Sequence, residues 1–531
     1  MIKRSKRFIK NLRRIQARTN WSLIKTIIKV IEAKIYGLNI KKYISNKGYD
    51  LSAHKLKRLG KKIKKNEKIL TKIKKESNLK NEKLQEKLKL AKEMNITPQK
   101  YYEYKCWELN EKELEELRET LEKRKIKREL NKKWYMNVLM EKNNCSSKEA
   151  LERLDIAKSK GYNYYQFILS GKYKLPIAKL KELPHYKKVK IRTTNTNKEI
   201  IKEKDNEMKK VKTEMNWNDG QLALNFFKSQ VNCGCTFHEY YILKLYKLTL
   251  KQQKDYITSE LWRKLYVRYC DYADTWKYFK QKPLFNEKFK KFIKRDWYNV
   301  EKLNFSKFKK FIKNKDMLIY KPLDTACGIG IKKYKISQSK LLNFILYLKL
   351  KSYKQGIIEE IIKQHKTMAK LNPSTINTVR VQTITLNNKT NFLNATVRMG
   401  ASSKSTTDNF SSGGIMATVD LKTGKVIGNA SSKFGGVIKK HPESNIKFDG
   451  FQIPNWDKVL KTCEEAAKVV KTMPYIGWDV VINEDDSIQI IEGNHDADAV
   501  FHQYCWAITQ NKGIRNTIDK YIWFDEKDKT V

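Results

Sequence analysis

The residues best suited to chemistry lie in segment 477–494, where three oxygen-bearing side chains fall at positions that a hairpin would bring together. Two apolar runs flank the polar residues 483–487, which predicts two strands joined by a turn. Glu492 and Asn494 are two residues apart, so on a strand they share one face. Asp479, on the opposite strand, would lie beside them. Hard oxygen ligands of this kind suit Mg²⁺ bound together with substrate phosphates, which indicates an enzyme.

A lysine followed by a glycine-rich turn forms a second candidate. Lys321 ends a strand-like run, and Gly328 and Gly330 follow within ten residues. A lysine at a strand end can place an ammonium group on a phosphate, and glycines let backbone N–H groups approach phosphate oxygens closely. The spacing is that of neither a P-loop nor a dinucleotide-binding turn. A lysine before an ordinary hairpin turn is the alternative.

Two acids interrupt an apolar run at Glu359 and Glu360, with Ile362 closing the run. Such a segment suits a hinge whose backbone hydrogen-bonds the edge of an adenine ring. The alternative is a helix beginning there, with the acids matched to the helix dipole. Residues 355–371 are predicted to be helical.

Two arginines and a polar block follow. Arg380 and Arg398 each lie in or after a predicted strand, and arginine binds carboxylate or phosphoryl oxygens in a fork. A surface ion pair is the alternative for each arginine singly. Together with the oxygen triad they indicate a substrate site. The polar block that belongs to this group contains Asp408, Asn409, Gly413 and Gly414.

The elements that must position these residues are strands and helices of a mixed α+β region. Helix 456–472 is predicted alongside strands 317–320, 379–386, 392–397, 415–420 and 488–491. Three segments are predicted along the chain. Residues 1–185 are expected to be a basic, mainly helical region, and residues 186–215 a polar linker. Residues 216–531 are expected to be the catalytic domain, with a core of about 280–510.

A weak internal sequence repeat, which we call the sequence echo, runs through the helical region. Three times, a predicted helix ends at Gly or Asn and an aromatic residue follows six positions later. Three repeated helical hairpins are one interpretation, and chance in a biased composition is the other. The three aromatic residues are Tyr43, Tyr101 and Phe167.

The charge is strongly positive and uneven. The 531 residues include 112 Lys and Arg against 57 Asp and Glu, a net charge of +55. Residues 301–531 hold 36 basic and 23 acidic residues, which leaves 76 and 34 for residues 1–300. The basic half predicts an anionic partner such as nucleic acid, acidic lipid or a phosphorylated glycan precursor. No transmembrane segment is predicted. The eight cysteines are scattered, with no pair of pairs at zinc spacing, so we expect a protein of the reducing cytoplasm. Residues 21–38 are amphipathic, which leaves peripheral binding at the inner membrane face as an alternative.

The order of these motifs resembles the ATP-grasp superfamily, and within it the sugar-transfer-associated ATP-grasp proteins of bacterial surface polysaccharide biosynthesis. The resemblance covers about residues 235–510 and is carried best by Ile476-Gly-Trp-Asp479 and Ile491-Glu-Gly-Asn494. It implies two α+β lobes that hold ATP between them. After Asn494 the chain reads His-Asp-Ala-Asp-Ala, without the Pro-Gly common in amino-acid ligases of the superfamily, so the acceptor is not identified.

The resemblance also implies roles for individual residues. Lys321 and Lys282 match the two lysines that bind ATP phosphates. Residues 359–362 match the adenine hinge, and Gly328 and Gly330 match the mobile loop over the triphosphate. The implied magnesium ligands are Asp479, Glu492 and Asn494, and the implied acceptor-side block, as in ribosomal-protein glutamate ligases, is Arg398, Asn409 and Gly414.

The activity implied is ATP-dependent ligation of a carboxylate to an amine through an acylphosphate, with ATP and Mg²⁺, in modification of cell-surface polysaccharides or glycans. Two other functions remain open. An ATP-grasp kinase would phosphorylate a hydroxyl group and stop there. A basic scaffold would bind nucleic acid or an anionic membrane through the helical half.

Overall fold

The computed structural model of the chain describes residues 2–35, 38–186, 197–323, 330–403, 408–432 and 435–524. The chain divides into two compact units. One consists of Met1–Lys123 with Met208–Phe227, and the other of Arg124–Glu207 with Lys228–Val531. The boundaries of these two units differ from those of the predicted segments 1–185, 186–215 and 216–531. The assignment of these three segments as domains stays a prediction.

Among the described residues before 290 the regular structure is helical, which includes the region 1–185 that is predicted to be mainly helical. The first are α1 (Ile2–Thr19), α2 (Leu23–Ile35), α3 (Ile40–Ser45), α4 (Ala53–Glu76), α5 (Asn81–Glu93), α6 (Pro98–Glu103), α7 (Glu111–Asn143), α8 (Ser147–Ser159), α9 (Tyr164–Leu169), α10 (Ile177–Glu182), α11 (Asn197–Met215) and α12 (Asp219–Cys233). The later ones are α13 (Phe237–Ile242), α14 (Leu250–Gln253), α15 (Ser259–Tyr269), α16 (Tyr272–Thr275), α17 (Lys277–Lys280), α18 (Lys282–Lys288), α19 (Phe305–Ile312), α20 (Lys340–Ser352), α21 (Lys366–Ala369), α22 (Trp456–Ala467), α23 (Ala499–Gln510) and α24 (Asp519–Ile522). Across the described residues, none of these helices is both long and apolar enough to span a bilayer.

Two helix assignments differ from the sequence-based expectation. The segment predicted as a polar linker contains α11, because its residues after 196 keep a helical spacing of apolar side chains among the charges. The predicted helix 355–371 is wrong. Its first part is a strand and only Lys366–Ala369 is helical, because Ile357 and Ile358, just before Glu359, are buried in a sheet.

One local arrangement occurs four times among the described helices. In each copy an Asn or Thr side chain accepts a hydrogen bond from a backbone N–H and begins a six-residue helix. A residue in the left-handed conformation then leads into a three-residue 3₁₀ helix. Three copies coincide with the sequence echo, and the fourth was not predicted. The capping residues are Asn39, Thr97, Asn163 and Thr236, the helices are α3, α6, α9 and α13, and the left-handed residues are Lys47, Lys105, Gly171 and Lys244.

Each copy is built on a fully buried aromatic ring. The ring lies four residues after the cap and has no exposed surface in any copy. In two copies the phenol hydroxyl is buried without a hydrogen-bond partner, and in a third the residue is phenylalanine. The ring, and not its hydroxyl, is therefore what the arrangement requires. The four residues are Tyr43, Tyr101, Phe167 and Tyr240.

Two antiparallel sheets follow in the second unit. The strands are β1 (Trp297–Asn299), β2 (Met317–Lys321), β3 (Lys332–Lys335), β4 (Ile357–Glu360), β5 (Thr378–Leu386), β6 (Lys389–Met399), β7 (Ile415–Val419), β8 (Val426–Ser432), β9 (Gly435–Ile438), β10 (Tyr475–Ile482) and β11 (Ile488–Asn494). The smaller sheet has the order β1-β4-β2-β3 and the larger β11-β10-β5-β6-β7-β8-β9. The five predicted strands and the predicted helix near 456–472 are all present, with ends shifted by a few residues.

Each sheet has its own apolar layer. Helices α19 and α20 cover the smaller sheet, with Phe308 and Leu350 packed on Leu318 and Ile358. Helix α22 covers one face of the larger sheet. On that face Val379 and Val381 alternate with polar residues of β5, so the opposite face of the strand is polar although it is also buried.

A buried guanidinium joins the two sheets. Arg295 donates from Nη2 to the Glu359 carboxylate of β4 (3.0 Å). The same side chain donates to the backbone carbonyls of Ile490 (3.1 Å) and Ile491 (3.3 Å) in β11. Lys321 Nζ lies 2.5 Å from the other Glu359 oxygen. Two cations therefore compensate one carboxylate that is 1% exposed, and they hold the pKa of Glu359 well below its usual range even though burial alone would raise it.

Replacing Glu359 with glutamine should destabilise the second unit by about 3–5 kcal/mol, because it leaves the buried Arg295 and the partly buried Lys321 beside a neutral amide. Urea unfolding of the full chain at neutral pH measures this. The folded pKa is lowered, so the ionic contribution is present above the ordinary Glu pKa of about 4.3 and is lost as the pH falls below it. The difference between wild type and variant should therefore shrink in acid. A difference that is absent at neutral pH would contradict the assignment.

The repeated arrangement predicts a contrast between two substitutions. Tyr101→Phe should leave the melting temperature unchanged or raise it, because it removes a buried hydroxyl that has no partner. Tyr101→Ala should cost about 3–5 kcal/mol of stability, because it removes the ring and leaves a cavity. Thermal unfolding followed by circular dichroism compares the two. Equal destabilisation by both would show that the hydroxyl is structurally required.

Candidate active site

A row of polar residues crosses the larger sheet on one face. Glu492 of β11 lies directly opposite Asp479 of β10, which lies opposite Arg380 of β5. Arg380 in turn lies opposite Thr396 of β6. Directly opposed residues of antiparallel strands point to the same face, so the register alone places these four side chains side by side.

Asp479 is the most strongly held carboxylate of this row. It is 2% exposed, and Arg380 donates to both of its oxygens, from Nε at 2.5 Å and from Nη2 at 2.8 Å. Arg398 Nη2 lies 2.7 Å from Oδ1. Burial raises the pKa of Asp479, but the two guanidinium groups outweigh it and hold the pKa well below its usual range. Asp479 is therefore ionised at any pH near neutrality.

Glu492 and Asn494 complete the predicted triad. Asn494 Nδ2 lies 3.3 Å from both Asp479 Oδ2 and Glu492 Oε1. Water reaches the Glu492 side chain although protein atoms surround it, an environment typical of a cleft. This desolvation and the neighbouring Asp479 raise the pKa of Glu492. The structure therefore brings together the three residues predicted to bind a metal.

The three oxygen-bearing side chains of the triad suit a cation that is also bound by water or by substrate phosphates. Two adjacent carboxylates repel each other, and a proton or a divalent cation between them relieves the repulsion. Rotating the Asn494 amide by half a turn would present Oδ1 beside them. Within the described part of the chain, no group of three or more His, Cys, Asp or Glu side chains is arranged to bind a metal. The triad has two carboxylates and one amide, which fits Mg²⁺ because that ion retains waters and phosphate ligands.

The polar block predicted as a substrate site lies next to this row. Thr378 donates through its hydroxyl to Asp408 and accepts from Arg398 Nη2 (3.0 Å). Desolvation raises the pKa of Asp408, with Arg398 opposing the shift. Asn409 accepts through its backbone carbonyl from Gly414 N (3.0 Å).

Gly413 and Gly414 allow the backbone of the polar block to form its turn. Gly413 has a φ of +96°, the left-handed region that favours glycine. A Cβ atom on Gly414 would lie 2.4 Å from the Asp408 carbonyl oxygen. The turn therefore requires glycine at 414 to hold Asp408 toward Arg398.

Two residues of the site are not among those predicted from the sequence. Thr378 links Arg398 to Asp408, and His502 of α23 covers the polar face of the sheet. His502 Nε2 lies 3.5 Å from Arg380 Nη1, and Nδ1 lies 3.2 Å from the Thr396 hydroxyl. Burial and the two arginines lower the pKa of His502 well below its usual value, so the ring is neutral. A single histidine on a mainly apolar helix is not distinguishable from a core residue by spacing.

The residues predicted to bind nucleotide phosphates lie on the smaller sheet and the segment before it. Lys321 ends β2 and contacts Glu359. Lys282 begins α18, and its Nζ donates to the Leu323 carbonyl (3.3 Å), two residues beyond Lys321. Gly330 has a φ of +78°, and Gly328 lies outside the described residues.

The predicted hinge forms part of strand β4. Glu359 points into the buried ion cluster, so its side chain is engaged by Arg295 and Lys321. Glu360 accepts through Oε2 from the Asp296 backbone N–H (3.2 Å), and Ile362 follows the end of the strand. The helical alternative for this segment is excluded, and any contact to an adenine ring would come from the backbone after residue 360.

Part of the second unit, which contains both sheets, matches the sequence model of a known family. Residues 299–520 match the sequence model described as sugar-transfer associated ATP-grasp. No curated protein sequence matches the chain.

The solved structures similar to this chain include three ligases with low sequence identity to it. The D-alanine-D-alanine ligase from Coxiella burnetii is 8% identical over 47% of this chain and 58% of its own, with a TM-score of 0.29. The D-alanine--D-alanine ligase from Bacillus anthracis is 14% identical over 49% and 69%, with a TM-score of 0.27. The ATP-grasp ligase PsnB, complexed with precursor peptide PsnA2 and AMPPNP, is 11% identical over 54% and 72%, with a TM-score of 0.30. The chain thus spans less than two thirds of the Coxiella burnetii ligase.

The family match falls on both antiparallel sheets and on every residue of the polar row, from Arg380 to Glu492. It also extends over Lys321, Glu359 and the polar block at Asp408. Residues 299–520 of this chain therefore match the sugar-transfer associated ATP-grasp family, and a basic, mainly helical region precedes them.

Proposed function

We propose that the chain is an ATP-dependent ligase that joins a carboxylate to an amine through an acylphosphate. In the first step a substrate carboxylate oxygen attacks the γ-phosphorus of ATP and ADP leaves. In the second step an amine attacks the acyl carbon, and inorganic phosphate leaves with the bond electrons while the amine loses a proton. The observation that carries this proposal is the convergence of Asp479, Glu492 and Asn494 beside two arginines.

The triad would hold the magnesium ion. Glu492 is the member accessible to water, and its raised pKa reflects an unrelieved neighbouring charge. Asp479 is held in place by Arg380 and Arg398, so it offers a fixed oxygen beside Glu492. A bound Mg²⁺ would neutralise charge that develops on the phosphate oxygens during transfer.

The cations of the site would divide between the two substrates. Lys321 and Lys282 are proposed to contact ATP phosphates, and Lys321 is already oriented by Glu359. Arg398 lies between Asp479 and Asp408, with Nε 3.9 Å from Asp408 Oδ2. We assign Arg398 to stabilise the oxyanion of the acyl intermediate, since a guanidinium held on two sides needs little reorganisation. Arg380 is assigned to orient Asp479.

The substrates are expected to be carboxylates and amines of cell-surface glycan metabolism. This rests on the family description, sugar-transfer associated ATP-grasp, and on the basic helical half that suits an anionic carrier.

Replacing Glu492 with glutamine should lower Mg²⁺-dependent ATP turnover by at least about a hundredfold, because one carboxylate ligand is lost. Stability should be unchanged or slightly higher, because a carboxyl whose folded pKa is raised destabilises the fold when it ionises. Phosphate release measured against Mg²⁺ concentration and thermal unfolding test both parts.

Glu484→Gln is the matched control, since Glu484 is an exposed carboxylate in the turn of the same hairpin. It should retain full turnover. Asp479→Asn is a poorer test, because it leaves two buried arginines without their partner and should unfold the site. Full turnover in Glu492→Gln would remove the magnesium assignment.

Product analysis separates ligation from the alternatives. A ligase yields ADP, free phosphate and an amide from a panel of amino acids and amino sugars. A kinase yields ADP and a phosphoester without free phosphate. Absence of ATP turnover, together with salt-sensitive binding to an anionic polymer, would favour the scaffold instead.

A further inference from the structure

Helix α20, which packs on the smaller sheet, exposes an unusual amount of apolar surface. Leu346 and Leu350 are four residues apart and face the sheet's core. Helix geometry puts residues 341, 345 and 348 on the opposite side. Large apolar side chains occupy these three positions and also positions 342 and 344. We call these five side chains the α20 apolar face. Its members and their exposed fractions are Leu341 (67%), Leu342 (54%), Phe344 (39%), Ile345 (51%) and Leu348 (50%).

The stretch of sequence that contains this face carries only positive charge. Residues 331–356 contain seven lysines and no acidic residue. Lys340 and Lys349 lie on α20 itself and are exposed, and β3 beside it reads Lys-Lys-Tyr-Lys. Lys332 and Lys349 place their ammonium groups over the Tyr353 and Tyr334 rings, at 4.6 and 5.2 Å from the centroids. Long basic side chains at the margin of an apolar surface are typical of helices that lie in a membrane interface.

We propose that the α20 apolar face docks on an anionic phospholipid surface. The five side chains would enter the boundary between headgroups and acyl chains, and the lysines around them would contact lipid phosphates. With 13 residues the helix is about 20 Å long, so it lies along the surface. The site is on the ATP-grasp region itself, which would hold that region against a lipid-borne substrate.

The charge and the apolar character of this surface favour an anionic lipid surface over a second copy of the chain or nucleic acid. A second copy of the chain would bring the same seven lysines against each other, which is unfavourable without a counter-charge. Nucleic acid would satisfy the lysines but would leave the leucines and isoleucine exposed. An anionic lipid surface matches both the apolar centre and the basic margin.

The test is co-sedimentation of the full chain with phosphatidylglycerol vesicles, compared with phosphatidylcholine vesicles. The net charge of +55 produces some electrostatic binding by itself, so binding is also measured in about 1 M salt, where the Debye length is about 3 Å. Wild type should bind phosphatidylglycerol vesicles and retain measurable binding at high salt. Ile345→Gln with Leu348→Gln should lower the high-salt partition coefficient at least tenfold, with the melting temperature and ATP turnover unchanged.

Two control variants keep the proposal falsifiable. Ile126→Gln with Leu151→Gln replaces exposed apolar residues of other helices (62% and 37% exposed) and should bind as wild type does. Ile28→Gln with Ile31→Gln removes the exposed apolar residues of α2, and loss of binding there alone would overturn the assignment to α20. Equal binding by wild type and the α20 variant would also overturn it. So would a wild-type dimer in light scattering that the α20 variant converts to a monomer. Because vesicle binding is read without ATP, its failure is separable from failure of the ligase proposal.

Discussion

The structure depends on two buried carboxylates that are each compensated by two cations. Asp479 lies between Arg380 and Arg398, and Glu359 lies between Arg295 and Lys321. A buried carboxylate with one partner removed is among the most costly defects in a protein interior. Each carboxylate therefore fixes its partners, and because those partners come from different strands and segments, the two clusters fix the arrangement of the sheets as well.

The same clusters limit what the cations can do. Lys321, Arg380 and Arg398 would each be assigned to a ligand by residue type alone, yet each already contacts a carboxylate. An anionic ligand must share these cations with Asp479 or Glu359. Glu492 differs, because it is accessible to water and its raised pKa marks it as the uncompensated member of the row. It is the group whose charge state a bound cation would change most.

Much of this site could be predicted from sequence because it is local. Asp479, Glu492 and Asn494 belong to one hairpin, and strand periodicity together with a polar turn suffices to bring them together. Arg295 could not be predicted, since its partners are 64 and about 195 residues away and no spacing links them. Sequence alone predicts a helix for the hinge segment, because an apolar run around two acids has the same pattern in a helix and in a buried strand.

The repeated arrangement shows the same limit. Three copies follow an Ala-Lys pair that precedes the helix end, which made the echo visible. The fourth keeps the glycine, the six-residue interval and the buried ring at Tyr240, but Gly234 follows Val-Asn-Cys instead. What the fold preserves is the capping side chain, the left-handed residue and the ring, because these determine the turn. The dipeptide made the echo detectable in the sequence but is not part of the structure's requirement.

One guanidinium relates the proposed nucleotide hinge to the proposed metal site. Arg295 binds Glu359 in β4 and the carbonyls of Ile490 and Ile491 in β11, the strand that continues to Glu492. β11 is the edge strand of the larger sheet and β4 is an inner strand of the smaller one, so these contacts set the distance between them. A nucleotide that places its base at residues 360–362 and its phosphates near Glu492 would have to span that distance. The forked geometry of arginine matters here, since Nη2 donates to Glu359 and to the Ile491 carbonyl while Nη1 donates to the Ile490 carbonyl.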